Sequence, residues 1–182
     1  MNRCGSCEMK RIVLSHSGIF KPSIKEIISV RLFIKGGTAN YTKELEGIEN
    51  LALSVATQGG TKSLTRTEFS SAMEKIGTTI GSSSTLDYSD ISMSCVRTFW
   101  DPSWQLFAEA VSSPRFDEKE FSIIKGQAVA QAKEAEANPD EYLKNKSLEN
   151  AFTNRNYSKI PTGTVQSLEK ISLQQLVDHY HS

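Results

Sequence analysis

Three groups of side chains in this 182-residue chain have the types that do chemistry. Cys4 and Cys7 form a C-x-x-C, the spacing from which thiolates bind zinc or cycle through a disulfide. A structural zinc needs a second such pair. The remaining cysteine, Cys95, lies far along the chain in an apolar-alternating stretch, so the pair reads as part of a solvated N-terminal tail. The histidines are His16, His179 and His181. A helix points residues two apart to different sides, so His179 and His181 do not read as a ligand pair. The run Ser82 to Ser84 offers hydroxyls, but no histidine stands near in sequence to act as a base, and the segment reads as a strand.

Composition narrows the classes further. Lys plus Arg equal Asp plus Glu at 21 each, so no overall field favours nucleic acid or acidic substrates. Three cysteines do not make a disulfide framework. No apolar run is long enough to span a membrane as a helix. The first twenty or so residues lack the apolar centre of a secretory signal, so the expected location is soluble, cytoplasmic or periplasmic, or that of a mature chain without its leader. The length suits one domain with a real core.

The elements that would position a site follow from periodicity. RIVLSHS is a candidate edge strand in an otherwise uninformative opening. From Glu26 to Lys35, Ile28, Val30, Leu32 and Ile34 alternate with Ser29, Arg31, Phe33 and Lys35, the period of a half-buried strand. The stretch GIENLALSVATQGGT, Gly47 to Thr61, then predicts a buried helix. Leu45, Ile48, Leu51, Ala52 and Val55 share one face, and Gly59 is the expected left-handed residue at its end. Thr65 and Glu68 predict a capping box stapled by Leu64 and Phe69, with Phe69, Ala72, Met73 and Ile76 as the buried stripe. Ile91, Met93 and Cys95 alternate along a further strand. Asp101 and Pro102 predict an N-cap and first turn, with Trp104, Phe107, Ala108 and Val111 facing the core and Pro114 as the stop. Asp117 with Glu120 predicts a second capping box, opening an alanine-rich helix from Glu118 to about Ala137 that packs on the sheet or a neighbouring helix. Asn138 to Glu141 starts another helix, with Leu148, Ala151 and Phe152 as its buried positions. Ser172 and Gln175 predict a third box, stapled by Ile171 and Leu176.

In this order the landmarks resemble the pitrilysin/insulinase-type zinc metallopeptidases, including the mitochondrial processing peptidase group. The resemblance rests on IKGG at Ile34 to Gly37, Gly47-Ile48, Gly60-Thr61, PRFDEKEF at Pro114 to Phe121, Asn138 to Glu141, and Gly163-Thr164 followed by Ser167-Leu168. It covers roughly Ile27 to Tyr180. In the family the helix after the first strand bears the inverted zinc motif H-x-x-E-H. Two histidines four apart bind zinc, and the glutamate takes a proton from metal-bound water whose pKa has fallen to about 7. This chain has Asn50, Leu53 and Ser54 at those positions. The family's third ligand, a glutamate on a later helix, maps to about Ala130 or Gln131, with Glu134 the nearest carboxylate. No catalytic, cofactor or metal residue is therefore expected. Zinc belongs to active relatives.

The resemblance implies an α+β domain with a mixed, largely antiparallel sheet and helices packed on one face. It spans 25–182 after an undefined segment 1–24. The apolar strand that usually follows the terminal helix is expected to be missing, leaving an unpaired sheet edge. The expected function is that of a non-catalytic homologue or domain, giving chamber wall and peptide-binding surface to a complex with an active partner. The expected partners are a homologous catalytic peptidase chain or second domain and an unfolded peptide. Two alternatives stand beside it: an active zinc-dependent endopeptidase, and a binding or assembly module that shares only the fold.

Overall fold

Hydrophobic alternation along β1, Ile27–Lys35, turns Ile28, Val30, Leu32 and Ile34 to one side and Ser29, Arg31 and Lys35 to the other. The computed structural model describes residues 26–182. Cys4, Cys7, His16, the RIVLSHS stretch and the whole segment 1–24 lie outside the described residues.

The described residues run β1, α1 (Ile48–Gln58), α2 (Arg66–Lys75), β2 (Thr79–Ser84), β3 (Tyr88–Val96), α3 (Trp100–Ser112), α4 (Glu118–Ala137), α5 (Pro139–Ala151), α6 (Val165–Lys170) and α7 (Leu173–His181), with short 3-10 turns between. The architecture is α+β. The three strands form one sheet in the order β1-β3-β2, each pair antiparallel. Register places Val30, Met93 and Ile80 in one row across the sheet, and Leu32, Ile91 and Ser82 in the next. These rows face the helices. The opposite face carries rows of small or polar residues, Ser29-Ser94-Thr79 and Arg31-Ser92-Gly81.

Two apolar clusters share α1. Leu53 joins Ile91, Met93 and Cys95 of β3 and Phe107 of α3. On its other side Ile48, Leu51, Ala52 and Val55 meet Phe121, Ile124 and Ala132 of α4, then Leu168, Ile171 and Leu176 near the C-terminal helices. Each fully buried aliphatic side chain of this kind contributes about 1.5–3 kcal/mol. The expected stripe on α1 is thus buried throughout, and Leu45 packs against it half-buried. The alanine-rich α4 packs on neighbouring helices, α1 and α6, rather than on the sheet.

Several local expectations need correction. Gly59 has φ −80° and continues the helical conformation, while Gly60 takes the left-handed turn at φ +92°. A Cβ on Gly60 would stand 2.7 Å from the Leu64 carbonyl, so the reversal sits where the chain passes close to itself. α3 opens earlier than Asp101: Phe99 is its N-cap, without a side-chain bond, and Asp101 and Pro102 fall within the first turn. The missing proline N–H costs nothing there, because first-turn amides have no intrahelical acceptor. The buried face of α3 is Ser103, Phe107 and Ala110; Trp104 is 44% exposed and stacks on Trp100 with centroids 5.5 Å apart. On α2 only Phe69 of the expected stripe is fully buried, with Ala72, Met73 and Ile76 half-buried.

Three capping boxes close, at Thr65 with Glu68, Thr164 with Ser167, and Ser172 with Gln175. The box expected at Asp117 is only half made. The Asp117 carboxylate accepts from the Lys119 and Glu120 amides, but the Glu120 side chain turns away to accept from Arg66 Nη1 at 3.0 Å. α5 starts within Asn138 to Glu141 as expected, with Asn138 as its N-cap, yet it buries no residue: Leu148 is half-buried, and Ala151 and Phe152 are exposed. It lies on the outside of α4, where its apolar positions find no second layer among the described residues.

Candidate functional site

Asn50, Leu53, Ser54 and Thr57 follow the i, i+3, i+4, i+7 spacing of one helical face, and that face of α1 lies toward β2 and β3. Asn50 and Ser54 are half-buried. Leu53 is 3% exposed within the apolar cluster under the sheet. Thr57 donates its hydroxyl to the Leu53 carbonyl at 2.9 Å and stands 3.4 Å from Ser82 Oγ on β2.

This donor set does not fit the zinc centre that the resemblance implies. An amide oxygen and a hydroxyl are poor ligands for zinc beside imidazole and thiolate, and the side chain between them has no donor atom. On α4, Ala130, Gln131 and Glu134 are all exposed. Among the described residues no group of three or more His, Cys, Asp or Glu comes together in a way that could hold a metal ion.

A polar cluster that local sequence patterns do not announce sits in the first turn of the same helix, beginning one residue before Asn50. Glu49, 5% exposed in the first turn of α1, receives Asn40 Nδ2 at 3.0 Å on one oxygen and the Ser89 hydroxyl on the other. His179 Nε2 of α7 lies 3.6 Å from Glu49 Oε2. Burial by itself would raise the Glu49 carboxyl, but the neighbouring His179 imidazole and the Ser89 and Asn40 donors together hold it below its ordinary value. The Tyr41 ring meets the imidazole edge-on, with centroids 6.1 Å apart, and burial followed by the Glu49 and Glu46 charges raises its phenol.

Serine, carboxylate and imidazole are thus neighbours, but in the wrong order for a nucleophile. The carboxylate lies between the other two. Ser89 has no accessible surface and spends its proton on Glu49. A serine nucleophile needs an imidazole beside its own hydroxyl and an open approach. The cluster ties α1, β3 and α7 together. His181, two residues on, packs edge-on against Phe116 and Tyr180, so the two histidines do face different surroundings. A pairing between residue 49 and residue 179 has no local periodicity. The one available signal was a charged residue set among positions that otherwise read as buried.

Concave regions among the described residues include two beside α5. A cavity of about 560 Å³ opens at the C-terminal end of β2 and is bounded by Ser84, Asp87, Tyr88, Glu136, Lys144 and Thr162 among others. A second groove of about 860 Å³ runs between α5 and α6 and is edged by Glu46. Burial raises the Glu46 carboxyl, partly offset by the Ile160 backbone and by Lys43. Among the described residues no helix is long and apolar enough to cross a membrane.

The family model for insulinase, peptidase family M16, matches residues 21–164. Among solved structures, the chain is similar to a peptidase M16 inactive domain from Pseudomonas fluorescens, with a TM-score of 0.76 and 20% identity over 85% of this chain. It is similar also to a protease from Helicobacter pylori, with a TM-score of 0.76 and 21% identity over 84% of this chain. At that identity the likeness speaks to the fold. The chain spans 37% of the length of each of these two structures. Comparison with curated proteins found no match.

Proposed function

The chain belongs to the insulinase family, peptidase family M16, and from that premise we propose that it works without catalysis of its own, supplying chamber wall and peptide-binding surface beside an active homologous chain or a second domain. The observation that carries this reading is the state of α1. The helix keeps its place between sheet and α4, while Asn50, Leu53 and Ser54 stand where two ligands and a base would be needed. No metal-bound water can be activated by a leucine side chain.

The peptide-binding part of the proposal draws on the sheet. Among the described residues β2 is an edge by strand order, it runs beside α1, and its side chains are small: Gly81, Ser82, Ser83 and Ser84. An edge of that kind accepts an extended segment through main-chain hydrogen bonds with little steric selection. The cavity at the end of β2 would then receive a side chain of the added segment. The similar Pseudomonas fluorescens structure is a peptidase M16 inactive domain, which agrees with a role of this sort, and the share of the two similar structures that the chain spans agrees with a partner domain or chain.

The test is hydrogen exchange of the purified chain with and without an unfolded peptide, together with zinc analysis and a cleavage assay. The expected result is added amide protection over Thr79–Ser84, no stoichiometric zinc and no cleavage. Cleavage that a chelator abolishes, with one zinc per chain, would end the proposal; cleavage-free protein with no protection at β2 would remove the peptide-binding half.

A further inference from the structure

We infer that the face of α1 carrying Asn50, Leu53 and Ser54 has become a packing seam for the sheet, so that putting the zinc-binding side chains back does not put back a zinc centre. Leu53 has Ile91, Met93, Cys95 and Phe107 around it. One turn on, Thr57 is 1% exposed and its single proton is already given to the Leu53 carbonyl. A glutamate at position 53 would therefore place its carboxyl among apolar side chains, beside a Thr57 hydroxyl whose proton is already committed. Such a carboxyl stays in its neutral form well above the ordinary range, and a neutral carboxyl takes no proton from water. The site was not merely stripped of ligands. Its floor was given to the core.

This inference rests on the reading of the chain as non-catalytic but can fail separately from it. Peptide cleavage by the unaltered chain would end that reading, whereas the experiment here uses only altered chains and needs no substrate. Three variants of the full chain are compared for zinc content and thermal melting: Asn50→His with Ser54→His, the same pair with Leu53→Glu, and Leu53→Glu alone. The double variant is expected to melt near the parent and to hold no stoichiometric zinc. Both variants with Leu53→Glu are expected to melt lower by about 10 °C or more at neutral pH. For the single change the deficit should shrink in acid, because the carboxyl is then neutral in the unfolded chain as well and folding no longer has to add a proton to it. A triple variant too unstable to purify agrees with the inference if the double variant folds. One zinc per chain in the triple variant at the parent melting temperature overturns it. So does a Leu53→Glu deficit that does not change with pH.

Discussion

Gly47 and Gly163 lie back to back, at φ +86° and φ +84°, with no room for a side chain between them. A Cβ on Gly47 would stand 2.7 Å from Gly163 Cα, and one on Gly163 would stand 2.8 Å from the Glu46 carbonyl. The contact seats the N-terminus of α1 against the turn that leads into α6, and Ser167 completes it by donating to the Glu46 carbonyl at 2.9 Å.

Either glycine replaced by alanine should therefore cost more than an ordinary loop substitution. Left-handed backbone alone costs a non-glycine residue about 1–2 kcal/mol, and the displaced backbone adds to it, for a total of about 2–4 kcal/mol. Urea unfolding of Gly47→Ala and Gly163→Ala measures this directly. A double variant costing little more than one single change would show that both act on the same contact.

A contrast within α3 gives the second prediction. Phe107 is 4% exposed inside the cluster under the sheet, whereas Trp104 is 44% exposed and touches the rings of Trp100 and Phe107. Phe107→Ala should cost about 3–5 kcal/mol. Trp104→Ala should cost no more than about 1.5 kcal/mol, chiefly for the lost ring contacts. Equal losses in chemical denaturation would place Trp104 in the core after all.

That contrast also shows what was readable in the amino-acid string. The bounds of α4, the caps at Thr65 and Ser172, the start of α5, and the alternation in β1 and β3 depend on neighbours within a few residues, and the structure has them where expected. The face of α3 depends on what lies across from it. With Phe99 as N-cap, Phe107, Ala110 and Ser103 turn inward and Trp104 turns out, and nothing local chooses between an inward and an outward tryptophan. α5 was misread for the same reason: apolar residues at helical spacing promise burial only where a second layer exists. At the candidate site, Asn50, Leu53 and Ser54 could be located through the family resemblance, but the burial of Leu53 and the meeting of Glu49 with His179 are tertiary facts.

At the start of α4 the half-made cap separates two carboxylates. Asp117 satisfies two first-turn amides, so Asp117→Ala should cost about 1 kcal/mol. Glu120 is engaged with Arg66 instead, in a pair whose side chains are 19% and 33% exposed. Glu120→Gln should cost less than about 1 kcal/mol, and added salt should reduce that difference but not the one at Asp117. Salt-dependent unfolding of the two variants distinguishes a cap from an ion pair.

Glu49 predicts how the fold responds to acid. Its carboxyl is held below the ordinary 4.5 in the folded chain, since the His179, Ser89 and Asn40 contacts favour the ionised form more than burial opposes it. A group whose folded pKa is depressed adds stability that is present above its unfolded pKa and is lost as the pH falls through the folded one. The contribution of Glu49 should therefore be complete above about pH 5 and fade below it. Glu49→Gln keeps the shape and removes the titration, so its stability should fall less steeply than the parent's in urea melts between about pH 5 and pH 3. Glu49→Ala at neutral pH should cost about 2–3 kcal/mol, because Ser89 and Asn40 lose a buried carboxylate acceptor and the Ser89 hydroxyl must turn to Ser84 Oγ, 2.9 Å away. Glu149, lowered to about 2 mainly by its Lys146 and Lys43 partners, also titrates in acid but is largely in solvent, and Glu149→Gln serves as the control. Parallel acid limbs for the parent and Glu49→Gln, with a flattened limb for Glu149→Gln, would move the proton linkage from α1 to the surface.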